Sequence, residues 1–158
     1  MYPSPNPLPE PDRARLVADL GARLADGLDL HAQIKTAHWN IKGPLFASLH
    51  PLFDTFAVSL AAHNDAIAER AVTLGGLVSG SVRHVAATSR LRDYPSETTR
   101  DLELARLLAE RIEIWLVGAR GTRKLAQELG DDDTFDLLTG AITELEKHAW
   151  FLRATAAG

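Results

Sequence analysis

The sequence predicts an all-α fold built from four long helices. Apolar residues recur at helical spacing in four long segments, and glycine or proline residues separate these segments. No segment has the alternation of apolar and polar residues that is typical of a strand, and no internal repeat is visible. One connection is much longer than the others, as in helical bundles that contain a crossover connection.

The first two helices are predicted on either side of a short loop. The first begins at residue 11 or 12 and ends at Asn40, because proline is favoured in the first turn of a helix and leucines follow at helical spacing. The Lys-Gly-Pro stretch at 42–44 interrupts this pattern. The second helix then spans residues 46–74 and stops at the glycine pair 75–76.

The second half of the chain contains the long connection and two more helices. Residues 77–96 are too many for a hairpin loop, and their apolar residues predict a short extra helix within the connection. The third helix spans residues 97–129 and is ended by Gly130. The fourth helix continues to residue 154, and aspartates 131–133 supply an N-cap and favourable charge at its start.

Length and composition fit one domain. The 158 residues are 46% hydrophobic, which is enough for a sizeable core, and we expect a single bundle domain over residues 12–158. Residues 1–11 alternate proline with other residues and should form an extended or disordered tail. Cysteine is absent, so any metal must be bound through nitrogen and oxygen atoms.

Charge and hydropathy argue against two classes of partner. The formal net charge of −4 offers no attraction to nucleic acid. No run of about eighteen apolar residues is present, and the N-terminus lacks a basic start followed by an apolar segment. We therefore expect a cytoplasmic protein that does not contact a membrane.

The second predicted helix carries four possible metal ligands on one face. At about 100° per residue, with His50 as zero, Asp54 falls near 40°, Asp65 near 60° and Glu69 near 100°. Such a stripe normally faces a core and is apolar, so these polar groups are costly to bury unless something compensates them. A bound cation would compensate them.

Distance along the helix restricts how these ligands can act. His50 and Asp65 are roughly 22 Å apart along the axis, whereas metal ligands lie within about 2 to 2.5 Å of the ion. One chain therefore cannot gather them. A second copy packed antiparallel across a two-fold axis would bring His50 and Asp54 to Asp65 and Glu69 of the partner subunit. His38 would join from the first helix, and the metal site would form only in the oligomer.

A series of motifs around these ligands resembles the Dps family of mini-ferritins, the DNA-binding proteins from starved cells. The order and spacing of the motifs match the family over about forty residues, and weaker similarity covers most of the chain after the first dozen residues. The matching pieces are His38-Trp39-Asn40, Gly43-Pro44, Leu49-His50, Leu52-Phe53-Asp54, Asp65-Ala66-Ile67-Ala68-Glu69-Arg70 and Leu74-Gly75-Gly76.

The resemblance implies a ferritin-like four-helix bundle that stores and detoxifies iron. In the family, Fe(II) is oxidised between two-fold-related subunits, with hydrogen peroxide preferred, and ferric mineral is held in a hollow shell of twelve subunits. The resemblance assigns His38, His50 and Asp54 to one chain and Asp65 and Glu69 to the other. Iron is the expected metal, and Zn, Mn or Co could occupy the same ligands.

Three further residues near the ligands have both a functional and a simpler interpretation. Trp39 matches a family tryptophan close to the iron and could take up an oxidising equivalent, or it could be a packing aromatic. Lys35 could pair with a site carboxylate or be solvated. His31 lies about 10.5 Å before His38 on the same face and could touch the metal. The remaining histidines are assigned to surface or interface packing: His63, His84 and His148.

Acidic residues at the start of the fourth helix suggest a second metal-related feature. In a ferritin-like shell, acids that match Asp131 and Asp136 line a three-fold pore that attracts cations. The alternative is that these residues cap the helix and sit in a solvated loop.

Two other functions are disfavoured by the sequence. A ferritin or bacterioferritin that uses dioxygen needs Glu-x-x-His pairs, and the sequence contains none, since Glu144 and His148 are four residues apart. A nucleoid-condensing protein would need phosphate-binding tails, but the N-terminal tail has no lysine and Ala154 to Gly158 carry no charged side chain. We therefore expect DNA binding to be weak or absent.

Overall fold

The computed structural model describes residues 1–157 and consists of five helices. No strand occurs among these residues, only an isolated bridge between Lys42 and Arg100. The all-α prediction is therefore confirmed, including the short helix in the long connection. The helices are α1 (Glu10–Asn40), α2 (Phe46–Thr73), α3 (Val82–Thr88), α4 (Asp101–Leu129) and α5 (Asp132–Ala156).

The four long helices pack as two antiparallel pairs. α1 packs along α2 and α4 packs along α5, while α1 also contacts α4 and α2 contacts α5. The core between them is aliphatic and aromatic, and its largest fully buried side chains are Trp115, Phe53 and Phe56. None of the helices in the described part combines the length and apolarity needed to cross a membrane. A cytoplasmic location stays a prediction.

Helix boundaries agree with the sequence except at two starts. Glu10 and Pro11, assigned to the tail, already belong to α1, with proline in its first turn. The third long helix was predicted from residue 97, which is wrong, because α4 begins at Asp101. The residues before it pair with the loop between α1 and α2 instead: Lys42 N donates to Thr99 O at 2.8 Å, and Asp101 N donates to Lys42 O at 3.0 Å.

The N-terminal tail is extended and bound to the end of α2. Tyr2 N donates to Gly75 O at 2.7 Å, and Ser4 Oγ donates to Thr73 O at 2.7 Å. Arg13, from the first turns of α1, donates from Nε to Leu74 O at 3.1 Å. These donors satisfy carbonyl groups that the end of a helix leaves without a partner. The tail therefore helps to hold the C-terminal end of α2.

A glycine in α1 permits close packing against α2. Asn64 is only 3% exposed and lies against Gly27, so closely that a Cβ atom at Gly27 would overlap its side chain. Both polar atoms of the Asn64 amide lack a hydrogen-bond partner within the chain. The contact leaves no space for a larger residue at position 27.

Gly27→Ala should therefore destabilise the fold, although alanine is the better helix former. Overpacking of this kind costs about 1 to 3 kcal/mol. Gly21→Ala, in the same helix, has nothing within 4 Å of the added Cβ and should be neutral or stabilising by up to about 1 kcal/mol. Urea unfolding of both variants measures the difference, and equal midpoints would contradict the packing argument.

His148 is buried inside the chain, which corrects its assignment to surface or interface packing. It is 7% exposed, and its ring stacks on Phe56 of α2 with ring centroids 3.9 Å apart. Burial lowers the pKa of His148, and the Glu144 carboxylate, 3.8 Å from Nε2, opposes this shift only in part. The folded protein therefore holds this imidazole neutral more strongly than the unfolded chain does.

A histidine with a lowered pKa makes stability fall as the pH falls. The unfolded chain takes up the proton near pH 6.5 and the folded protein only at lower pH, so the contribution of His148 to the free energy of unfolding should decrease between about pH 7.5 and 5.5. Asp26, whose pKa burial raises to about 6, contributes in the opposite direction. His148→Phe keeps an aromatic ring against Phe56 and should reduce that decrease. Urea unfolding at both pH values measures it. His84→Gln, at an exposed position of α3, should behave as the wild type.

Candidate metal site

His38 and His50 face each other between the last turn of α1 and the first turns of α2. Their rings stack with centroids 3.8 Å apart. The Nδ1 atom of His38 is 2.8 Å from the backbone oxygen of His50, and Nδ1 of His50 is 2.9 Å from that of His38. A carbonyl oxygen only accepts hydrogen bonds, so both Nδ1 atoms carry a proton. Each neutral ring then keeps a lone pair on Nε2, the form that binds a metal.

The short loop between α1 and α2 produces this arrangement. α1 ends at Asn40 and α2 begins at Phe46, so the chain reverses within five residues. Gly43 has φ of 141°, a region that L side chains rarely adopt, which explains glycine at this turn. The reversal brings the end of α1 beside the start of α2.

Asp54 extends the histidine pair by one turn of α2. Its Oδ1 lies 2.5 Å from Lys35 Nζ, so Lys35 is paired and not simply solvated. The hydrogen bond from Lys35 is the main cause that lowers the pKa of Asp54, and His38 and His50 act in the same direction. Asp54 is therefore ionised at neutral pH. We call His38, His50 and Asp54 the first half-site.

Trp39 lies beside the first half-site but is not buried within the chain. Its side chain is 68% exposed, and the Lys35 ammonium lies 5.9 Å from its ring centroid. The interpretation of Trp39 as a packing aromatic therefore does not hold inside one chain. A large exposed indole next to possible ligands is available to a partner subunit or to a reacting species.

Asp65 and Glu69, which we call the second half-site, are exposed on the distal part of α2. α2 is continuous from Phe46 to Thr73, so Asp65 lies roughly 22 Å along the axis from His50. Within residues 1–157, no group of three or more histidine or acidic side chains is arranged to hold a metal ion. The described chain thus presents two separate sets of donors.

The second half-site adjoins an apolar groove of about 390 Å³ between α1 and α2. His31 lines this groove together with Asp65, so it lies with the second half-site and not, as its spacing predicted, with His38. Burial, and then the nearby Lys35, lower the pKa of His31. The short loop implies that α1 and α2 pair antiparallel, so residues earlier in α1 lie beside residues later in α2. This signal in the sequence could have located His31 beside Asp65.

His63 belongs to a different contact, away from the ligand stripe. Its Nε2 lies 2.8 Å from Glu144 Oε2, and Ser59 donates to the other oxygen of Glu144 at 2.6 Å. These hydrogen bonds, with Ser59 first, lower the pKa of Glu144. The group joins α2 to α5. His84 is exposed on α3.

The acidic cluster at the start of α5 is divided between an internal contact and the surface. Asp131 is 4% exposed; its Oδ1 lies 2.5 Å from Arg70 Nη2, and Thr134 donates to its Oδ2. Asp131 occupies the N-cap position but makes no side-chain bond to the backbone of the helix. Asp131 therefore anchors α5 to α2. Asp136 is exposed, so a pore-lining role for this acidic cluster depends on Asp136.

Removing the Arg70 charge should destabilise the chain strongly. Arg70→Met leaves Asp131 as a buried charge without its partner, which costs about 3 kcal/mol or more. Arg153→Met breaks an exposed pair with Glu113 and should cost under about 1 kcal/mol. Urea unfolding of the two variants tests this, and similar losses would mean that the Arg70–Asp131 contact is not a buried ion pair.

Comparisons with known proteins agree over nearly the whole chain. A sequence model described as a ferritin-like domain matches residues 17–157. A DNA protection during starvation protein from Agrobacterium fabrum is 38% identical over 149 residues, which cover 94% of this chain and 92% of that protein. The structure of DpsC from Streptomyces coelicolor superposes with a TM-score of 0.93 at 32% identity, covering 98% of this chain and 90% of that one. The Dps protein from Vibrio cholerae O1, described as a member of a broad superfamily of ferritin-like diiron-carboxylate proteins, superposes with a TM-score of 0.91 at 27% identity, covering 98% and 96%.

Proposed function

The chain belongs to the Dps family of ferritin-like proteins, and from this membership and its two half-sites we propose that it oxidises Fe(II) between paired subunits. The single observation that carries this proposal is the state of the histidine pair. Both Nδ1 atoms of His38 and His50 are bonded to carbonyl oxygens, which leaves both Nε2 atoms free for a metal.

The ligand chemistry suits iron as the substrate. The first half-site offers two imidazole nitrogens and the Asp54 carboxylate, and the second half-site of the partner subunit would add the carboxylates of Asp65 and Glu69. Charged oxygen ligands stabilise Fe(III) more than Fe(II), which favours loss of an electron. The same donors would accept Zn, Mn or Co, which would compete with iron for the site.

Hydrogen peroxide is the oxidant that we propose. Two Fe(II) ions each give one electron to one hydrogen peroxide molecule, which takes up two protons and leaves as two water molecules. This route consumes both species that would otherwise generate radicals. Lys35 holds the Asp54 carboxylate in place before iron binds, and it would be displaced or shared when the carboxylate becomes a ligand. Trp39 would receive an oxidising equivalent, and its exposure beside the half-site supports this role.

The two half-sites require a homo-oligomer for activity. An antiparallel pairing of two copies along α2 would place the first half-site of each chain against the second half-site of the other, giving two equivalent sites per dimer. We propose that these dimers form a shell of twelve subunits that stores ferric mineral. Asp136, exposed at the start of α5, would line the entry pore for cations.

Protection of DNA by this protein would come from iron and peroxide removal, with DNA binding weak or absent. The relatives are named for DNA protection during starvation. In this chain the N-terminal tail has no lysine and is bound to the end of α2 through Tyr2 and Ser4, and the net charge is −4. A tail held in this way offers few groups to neutralise phosphates.

Complementation between two inactive variants tests the shared site. Asp54→Asn damages only the first half-site, and Glu69→Gln damages only the second. Each variant alone should oxidise Fe(II) at least about tenfold more slowly, because even changes to residues outside the ligand shell reduce activity by that factor. Co-expressed, the two chains should form mixed dimers with one intact site each. Random pairing would restore about a quarter of the wild-type sites.

The rate of Fe(III) appearance, followed optically with peroxide and with dioxygen, measures recovery. Asp54→Asn chains co-expressed with differently tagged Asp54→Asn chains serve as the control and should stay inactive. No recovery in the mixed oligomer would contradict a shared site, and so would wild-type activity in a monomer. A faster reaction with dioxygen than with peroxide would contradict the proposed oxidant.

A further inference from the structure

Asp101, the first residue of α4, is bonded to the start of α2. It is 5% exposed, and its Oδ2 accepts a hydrogen bond from Leu45 N at 2.8 Å, while Oδ1 accepts from Leu102 N at 2.8 Å. The Leu45 N–H is the largest cause that holds the pKa of Asp101 below its usual value. The carboxylate is therefore ionised, with one oxygen bonded to each of two helix starts.

The bond to Leu45 replaces a cap that α2 does not supply itself. Leu45 occupies the N-cap position of α2, makes no side-chain cap bond, and no acidic residue lies in the first turn of the helix. Its carbonyl oxygen accepts from Leu49 N at 2.9 Å and so begins the helix. Asp101 thus provides, from a different helix, both an acceptor and the negative charge that a helix N-terminus favours.

The rest of the loop is built around the same carboxylate. Lys42 is paired with Thr99 and Asp101 through two backbone hydrogen bonds. Gly43 packs so closely on Asp101 that a Cβ atom there would overlap the carboxylate. The loop and the carboxylate are therefore packed as one unit, which ties the start of α2 to α4.

We propose that Asp101 is a positioning residue of the metal site, which sets the separation of His38 and His50 by fixing the start of α2 relative to the end of α1. His50 lies just beyond the segment that Asp101 holds, and its contact with His38 depends on two bonds of 2.8 and 2.9 Å. The hydrogen bonds of the Asp101 carboxylate go to Leu45 and Leu102 and not to either histidine. This inference deepens the proposed function and rests on it for the metal site that His38 and His50 would form.

Asp101→Asn tests the proposal with little change of shape. The amide oxygen can accept one of the two N–H groups, but the NH₂ group cannot accept the other, and the negative charge is lost. Glu103→Gln removes an equal charge from an exposed position in the same turn of α4 and serves as the matched control. Co²⁺ alone is the probe, added to the assembled protein and followed by its visible absorption.

We expect Asp101→Asn to assemble normally and to bind Co²⁺ at least about tenfold more weakly. Its oxidation of Fe(II) should reach a similar maximal rate but should need a higher Fe(II) concentration to reach half of that rate. Glu103→Gln should match the wild type in all three measurements. A lower unfolding midpoint for Asp101→Asn with unchanged Co²⁺ affinity would identify a purely structural role and overturn the proposal.

A measurement on the wild type covers the case in which Asp101→Asn does not fold. The Leu45 amide should exchange its hydrogen slowly in metal-free protein, because the carboxylate protects it. Exchange at the rate of an open loop would overturn the proposal. Co²⁺ binding does not require iron oxidation, so a wild type that binds Co²⁺ without oxidising Fe(II) would contradict the proposed function and leave the test of Asp101 intact.

Discussion

The length of one uninterrupted helix controls what this chain can do alone. α2 runs for 28 residues without a break, and its rise separates the histidine end from the carboxylate end by roughly 22 Å. No side-chain movement closes such a distance. The chemistry is therefore divided between two places on each chain, and the proposed activity depends on association with a second copy. Contacts that fix the ends of α2 then gain importance, because both ends are parts of a site.

Local signals in the sequence were sufficient for most of the fold. The Gly-Pro loop and the glycine pair after residue 74 predicted α2 to within one residue, and Gly130, which adopts the left-handed conformation, ends α4 as expected. The start of α4 was missed because it depends on a contact between distant parts of the chain. Residues just before Asp101 pair with the loop at Lys42, and no local pattern reveals that partner.

The candidate site was predictable in its residues but not in its surroundings. Helical periodicity and the family motifs identified His38, His50 and the three acids, and the assignment of these residues as ligands stays a prediction. Periodicity could not reveal that the two rings bond to each other's backbone or that Asp131 is bound by Arg70. It did contain the signal for His148, which lies three residues after Leu145 and four before Leu152 on the buried face of α5. The contact between Arg70 and Asp131 joins residues 61 positions apart, so it is set by how the helices pack and not by the sequence near either residue.

The reciprocal bonds of the histidine pair have a consequence for the entropy of metal capture. A half-turn of either imidazole ring would place a carbon atom, instead of Nδ1, opposite the carbonyl oxygen of the other residue. His38 and His50 therefore each hold the other's ring in one orientation. An arriving ion meets rings whose rotational freedom was already lost during folding. The free energy of metal binding is therefore not reduced by the entropic cost of immobilising the two rings. That cost usually weakens metal binding at sites built from mobile side chains.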